Sequence, residues 1–239
     1  MSKSLDAEEA CQLPDDISYE EWVNYVFDHP LLKPEWWFQD AESGYLQEWR
    51  EDKLPKIALD YMTRLFSEPA FLIDRFSRAQ IDQGLNFLVS NSCSSHMFVL
   101  TNGSLPWSAR RACFDAMIPL YAKLMAPVYG NDIAYLDRAP QDPDRPNYAC
   151  YMWWDVIPLY AKMGGPDSER IDDAVFHIFE EVLKLKSEAC LESVLHGIGH
   201  WHFDYPERTC EMVESFLRRT DISPELRRYA EFAARGCVN

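Results

Sequence analysis

No apolar run in this 239-residue chain approaches the roughly 20 residues that a membrane-spanning helix needs. The opening Met1–Glu9 is polar and acidic and lacks the apolar core of a secretory signal, so the expectation is a soluble protein of the cytoplasm. Paired cysteines are missing too. The seven, at 11, 93, 113, 150, 190, 210 and 237, are scattered and never form a Cys-x-x-Cys pair, which suits reduced thiols in helix cores better than disulfides or a zinc site. No alternating apolar-polar stretch of six or more residues is present, so strands are not expected. A Gly-x-Ser-x-Gly elbow, a phosphate-cradling glycine loop and a dinucleotide fingerprint are all absent, which lowers the prospect of an enzyme. A catalytic triad assembled from distant residues would still escape such patterns.

Positive charge is in short supply. The chain carries 23 basic and 39 acidic residues, a net charge of −16. Residues 1–60 contribute −10 and residues 167–239 contribute −6, while residues 61–166 balance at nine of each sign. Such a field repels phosphate backbones, which counts against nucleic acid, and it speeds encounter with a basic protein. Acidic charge also serves solubility alone. The pairs Arg110-Arg111, Arg218-Arg219 and Arg227-Arg228 stand beside acids and are read as ion pairs or solvated faces, not a nucleic-acid footprint.

What is present in quantity is apolar surface at helical spacing. Hydrophobic content of 47% and aromatic content of 14% exclude disorder, and the length suits one domain spanning residues 1–239, with 1–16 as a flexible acidic tail. Ser18-x-x-Glu21 and Ser77-x-x-Gln80 have capping-box spacing, and Ser223-Pro224 has the form of a helix start. Further helices are expected over about 55–66, 77–92, 109–126, 148–163, 168–185, 187–202 and 210–219, with short ones near 34–38, 93–100 and 131–138. The fold class is therefore all-α, with about nine to twelve helices.

The hexapeptide Ile118-Pro119-Leu120-Tyr121-Ala122-Lys123 returns as Ile157-Pro158-Leu159-Tyr160-Ala161-Lys162, 39 residues later. Phe114 with Trp153, Met117 with Val156 and Pro127 with Pro166 keep the same offset. A period near 40 and a proline inside an otherwise helical run make each copy resemble the first helix of a HEAT repeat. That resemblance implies an irregular HEAT-like helical array with a curved binding surface.

Chemistry is concentrated in Glu192-Ser-Val-Leu-His196-Gly-Ile-Gly-His200-Trp-His202. On a helix, Glu192, His196 and His200 recur every four residues and share a face, drifting by about 40° per step. Two imidazoles and a carboxylate on one face can hold a divalent metal, with His202 and His177 in support, and this is the basis for a metal-dependent hydrolase. Gly197 stands where the zinc-protease pattern has its general-base glutamate, so protease chemistry is disfavoured. The competing structural role is close packing: Gly197 and Gly199 let a neighbouring helix approach while the histidines hydrogen-bond across the contact.

The leading functional expectation is a non-enzymatic acidic protein that binds a basic protein partner, as an inhibitor or immunity-type factor does. Trp22, Trp36, Trp37, Glu35, Asp40, Trp153, Trp154 and Asp155 are the candidate contact residues, because aromatic rings beside carboxylates suit such an interface. Core packing is the alternative for these rings. A third possibility is a small-ligand pocket built on Trp153 or Trp154.

Overall fold

Serine hydroxyls and prolines start the helices where their spacing announces them. In the computed structural model, which describes residues 11–134 and 147–238, Ser18 caps α1 (Tyr19–Phe27) and Ser77 caps α4 (Arg78–Val89), each in a full capping box. Pro55 opens α2 (Pro55–Ser67), and Ser223 caps α12 (Pro224–Ala233) with Pro224 in its first turn. Between them lie α3 (Phe71–Arg75), α5 (Trp107–Leu120), α6 (Ala126–Tyr129), α7 (Tyr148–Tyr151), α8 (Trp153–Val156), α9 (Ser168–Val182), α10 (Glu188–Trp201) and α11 (Pro206–Leu217). Every regular element among the described residues is helical, and the single backbone bridge pairs Gln12 with Glu48. The fold is all-α, as the composition and spacing imply. No described helix is long and apolar enough to cross a membrane. None of the seven cysteines forms a disulfide, and Cys11, Cys113, Cys150 and Cys190 are buried. The expected tail and the end of the 131–138 helix fall partly or wholly outside the described residues.

The duplicated hexapeptide takes two conformations. In the first copy Pro119 lies inside α5, and the chain continues through a π-helical stretch, Tyr121–Met125, into α6. Proline has no N–H to give the preceding turn, and a widened turn next to it absorbs the misfit. In the second copy the helix stops at Val156, Ile157 is extended (φ −67°, ψ 138°) and Lys162 has φ of 53°. The expected continuous helix over 148–163 is therefore two short pieces followed by a loop. The described residues show no pair of equivalent HEAT units. Extended geometry is what a residue before proline prefers, and four residues of α8 supply too little helix to override it.

Helix α10 is the centre of the molecule. Twelve of its fourteen residues are buried, and α6, α7, α8, α9, α11 and α12 all pack on it. A helix wrapped on every side must be apolar all round or must find a partner for each polar group. Here Glu192 Oε2 accepts from the Ala134 N–H at 2.7 Å, and Ser193 pairs with the Tyr121 hydroxyl at 2.9 Å. The arginine pairs behave similarly: buried Arg110 meets Asp167, Arg111 meets Asp115 at 2.8 Å, and Arg219 meets Asp221 at 2.9 Å.

Helix α7 is set in place by a buried carboxylate on α4. Asp82 Oδ1 accepts from the Ala149 N–H at 3.0 Å and from the Tyr129 hydroxyl at 2.9 Å. Burial pushes its pKa up to about 6, against the opposing bonds from Ala149 and Tyr129 and the charge of Arg78. The folded state thus holds this proton more tightly than the unfolded chain does. Asp82's contribution to stability is present in full below the ordinary pKa of 3.8 and is lost as pH rises through about 6. Replacing Asp82 by Asn keeps an acceptor for Ala149 and Tyr129 and removes the buried charge. The expected outcome is a smaller fall in urea midpoint between pH 4.5 and pH 7 than in the parent protein; an unchanged fall contradicts this account.

Candidate functional site

The two histidines meet a carboxylate from a distant part of the chain. His196 and His200 lie one turn apart on α10, and Asp155 reaches them from α8. The His196 Nε2 to Asp155 Oδ2 distance is 2.9 Å, Asp155 Oδ1 is in close contact with His200 Nε2, and the two Nε2 atoms are 3.1 Å apart. One ligand atom from each residue falls within 4.8 Å of the others. Burial is graded across the group. The His196 side chain is fully buried, that of Asp155 is 22% exposed and that of His200 is 42% exposed.

Two supports fix this geometry. The first is glycine: a Cβ at Gly197 would lie 2.6 Å from Trp154 Cγ, so only a bare backbone lets α8 come this close to α10. Trp154 then packs edge-on to Phe179, and the next residue, Asp155, is delivered to the histidines. The second support is Tyr229 of α12. Its hydroxyl lies 2.5 Å from His196 Nδ1, and Tyr151 stacks obliquely on the His196 ring with 4.7 Å between centroids. Burial first, then the neighbouring Tyr151, raises the Tyr229 pKa far above its ordinary value, so the hydroxyl keeps its proton.

The tautomer of His196 decides what this arrangement can hold. In the tautomer with His196 Nδ1–H donating to the Tyr229 oxygen, the Nε2 lone pair faces Asp155 Oδ2 at 2.9 Å and can take a metal ion; in the other, the Tyr229 hydroxyl donates to Nδ1 and Nε2–H donates to Asp155. Burial opposes ionisation of Asp155, but the hydrogen bonds and charges of His196 and His200 outweigh it and hold the carboxyl well below its usual range. Two imidazoles and one carboxylate suit zinc, iron(II) or manganese(II), and the part-exposed His200 side leaves room for a further ligand.

The other residues singled out from the sequence are placed elsewhere. Glu192 is one turn from His196 and accepts from the Ala134 N–H, while the carboxylate that meets both histidines is Asp155. His202 Nδ1 pairs with the Thr209 hydroxyl at 3.0 Å, and His177 of α9 lies within electrostatic reach of Glu181. Among the candidate contact residues, Trp22, Trp36, Trp153 and Trp154 are no more than 3% exposed and offer no surface to a partner. Their rings complete the core: Trp22 donates to His96 Nε2 at 3.1 Å, Trp36 stacks on His29, and Trp153 meets Phe66 and Tyr121 edge-on. Glu35 and Trp37 are half-buried, and Asp40 is exposed. The roles of Tyr229 and Tyr151 had no sequence signal, since both are ordinary helical aromatics 33 and 45 residues from His196.

The fold and site define an all-α protein with a His–Asp–His cluster between three helices. No protein-family model matches the chain, and no curated protein or solved structure matches it either.

Gly197→Ala tests the close approach. The added methyl gains up to about 1 kcal/mol in helix propensity, and forcing it against the Trp154 ring root costs about 1–3 kcal/mol. A net loss of stability and a lower melting temperature are expected. A variant more stable than the parent contradicts the packing described.

Proposed function

We propose that this protein is a metal-dependent enzyme of the hydrolytic class, with a divalent transition-metal ion held by Asp155, His196 and His200. The single observation that carries this reading is the convergence of three ligand atoms within 4.8 Å, in a group that is buried at His196 and reaches solvent at His200. A metal with three protein ligands and an open position supplies an activated water at neutral pH. The protein's own part is orientation. Tyr229 fixes the orientation of the His196 ring through Nδ1, and Gly197 with Trp154 holds Asp155 in reach. His202 and His177 take no part in holding the ion.

Elemental analysis of tag-free protein by plasma mass spectrometry tests this reading. Near-stoichiometric zinc, iron or manganese is expected in the parent and in His202→Ala, and none in Asp155→Ala or in the His196→Ala/His200→Ala double variant. Tyr229→Phe is expected to stay folded and to lose about 10- to 100-fold in metal affinity by chelator competition. A folded parent that remains metal-free after incubation with each of the three ions overturns the proposal.

A second reading, an acidic protein that binds a basic protein partner, is supported by the residues around 35–40. There Phe38 is 56% exposed beside Glu35 and Asp40, within the segment that carries most of the negative charge. Immobilised protein is expected to retain basic proteins at low salt and release them by about 0.5 M salt, with weaker retention by Phe38→Ala/Asp40→Ala. Salt-independent capture of neutral or acidic proteins alone would count against it.

A further inference from the structure

Asn102 is the one asparagine of this chain that precedes a glycine. The pair stands in the turn that leads from the short helical stretch His96–Leu100 into α5, with Asn102 half-buried and Gly103 and Ser104 exposed. The Leu105 N–H closes the turn by donating to the Asn102 carbonyl at 3.0 Å. Within the turn the Asn102 side chain folds back along the main chain. Its Oδ1 accepts from the Ser104 N–H at 3.0 Å and from the Ser104 hydroxyl at 2.7 Å.

This arrangement sets an electrophile beside a nucleophile. Because Oδ1 bonds to the N–H two residues on, Asn102 Cγ is kept next to the peptide bond that lies between, whose nitrogen belongs to Gly103. Two donors on Oδ1 polarise the amide carbonyl and stabilise the oxyanion that nucleophilic attack on it produces. The Gly103 N–H makes no hydrogen bond among the described residues and lies on an exposed residue, within reach of solvent base. Gly103 has no side chain to hinder the approach, and nothing stands within 4 Å of where a Cβ would lie.

We infer that Asn102 is a site of self-modification, deamidating through a succinimide. Solvent base takes the Gly103 amide proton, the Gly103 nitrogen bonds to Asn102 Cγ, and Nδ2 leaves as ammonia. One water then opens the ring at either carbonyl, so asparagine and water become aspartate or isoaspartate and ammonia. Isoaspartate routes the main chain through Cβ and lengthens it by one atom. The turn cannot absorb that atom freely. Arg110, only 2% exposed, is held by the Leu100 carbonyl at 3.2 Å and the Leu105 carbonyl at 3.3 Å, which bracket the modified pair. Moving these acceptors off a buried cation is costly, so the reaction acts as a slow, irreversible timer on the stability of the fold.

Incubation of the full-length protein at 37 °C and mildly alkaline pH, followed by peptide mapping and isoaspartate assay, tests the inference. Asn102 is expected to convert faster than Asn24, Asn86, Asn91, Asn131 and Asn147, and no more slowly than in the same protein unfolded in urea. Gly103→Ala is expected to slow conversion about tenfold through its Cβ. Ser104→Ala, which removes one donor to Oδ1, is expected to slow it in the folded protein and not in urea. The separated isoaspartate form is expected to melt below the parent, whereas Asn102→Asp, with the charge and without the extra main-chain atom, melts as the parent does. Conversion slower in the folded protein than in urea, a folded Ser104→Ala rate equal to the parent's, or an isoaspartate form as stable as the parent overturns the inference.

Discussion

Burying one helix on every side is the constraint from which the rest of this structure follows. Helix α10 carries Glu192, Ser193 and His196 into the interior, and each polar group costs free energy there unless a partner comes to it. The Ala134 N–H, the Tyr121 hydroxyl, and Asp155 with Tyr229 are those partners. They come from four separate parts of the chain. Satisfying α10 therefore brings the π-helical stretch, α8 and α12 together around it.

The His–Asp–His cluster is the place where the partners are themselves ionisable. Elsewhere on α10 Glu192 and Ser193 meet Ala134 and Tyr121, whereas His196 is held at both ring nitrogens, by Tyr229 at Nδ1 and by Asp155 at Nε2. The surrounding helices meet the cost of bringing two imidazoles and a carboxylate this close. The graded exposure from His196 to His200 gives that site one dry wall and one wet one.

Helix starts were legible because Ser18, Ser77 and Ser223 act within three residues of themselves, and a local hydrogen bond needs only local sequence. The His196–His200 pair was legible for the same reason, since one helical turn sets its spacing. Asp155 was not, because it approaches across 41 residues on a four-residue helix whose position depends on Gly197 and Trp154. Glu192 fitted the spacing equally well. Only the partner at Ala134 shows that this carboxylate is engaged elsewhere. The tryptophans were ambiguous in principle: an aromatic beside a carboxylate looks alike in an interface and at the edge of a core, and burial decides between them.

The repeated hexapeptide separates the two kinds of information most sharply. Its residues by themselves determine that both copies are apolar, both carry a proline that withholds one N–H, and both end a helix or distort it. They do not determine which. In the first copy fourteen residues of α5 precede the distortion, and Leu120, Tyr121, Leu124 and Met125 are buried, so the helix propagates through a widened turn. In the second, α8 offers four residues and the chain leaves the helix at Ile157. The same six residues adopt two backbones because propagation from an existing helix and burial on both sides outweigh the local preference of a residue before proline, and only the tertiary structure supplies them.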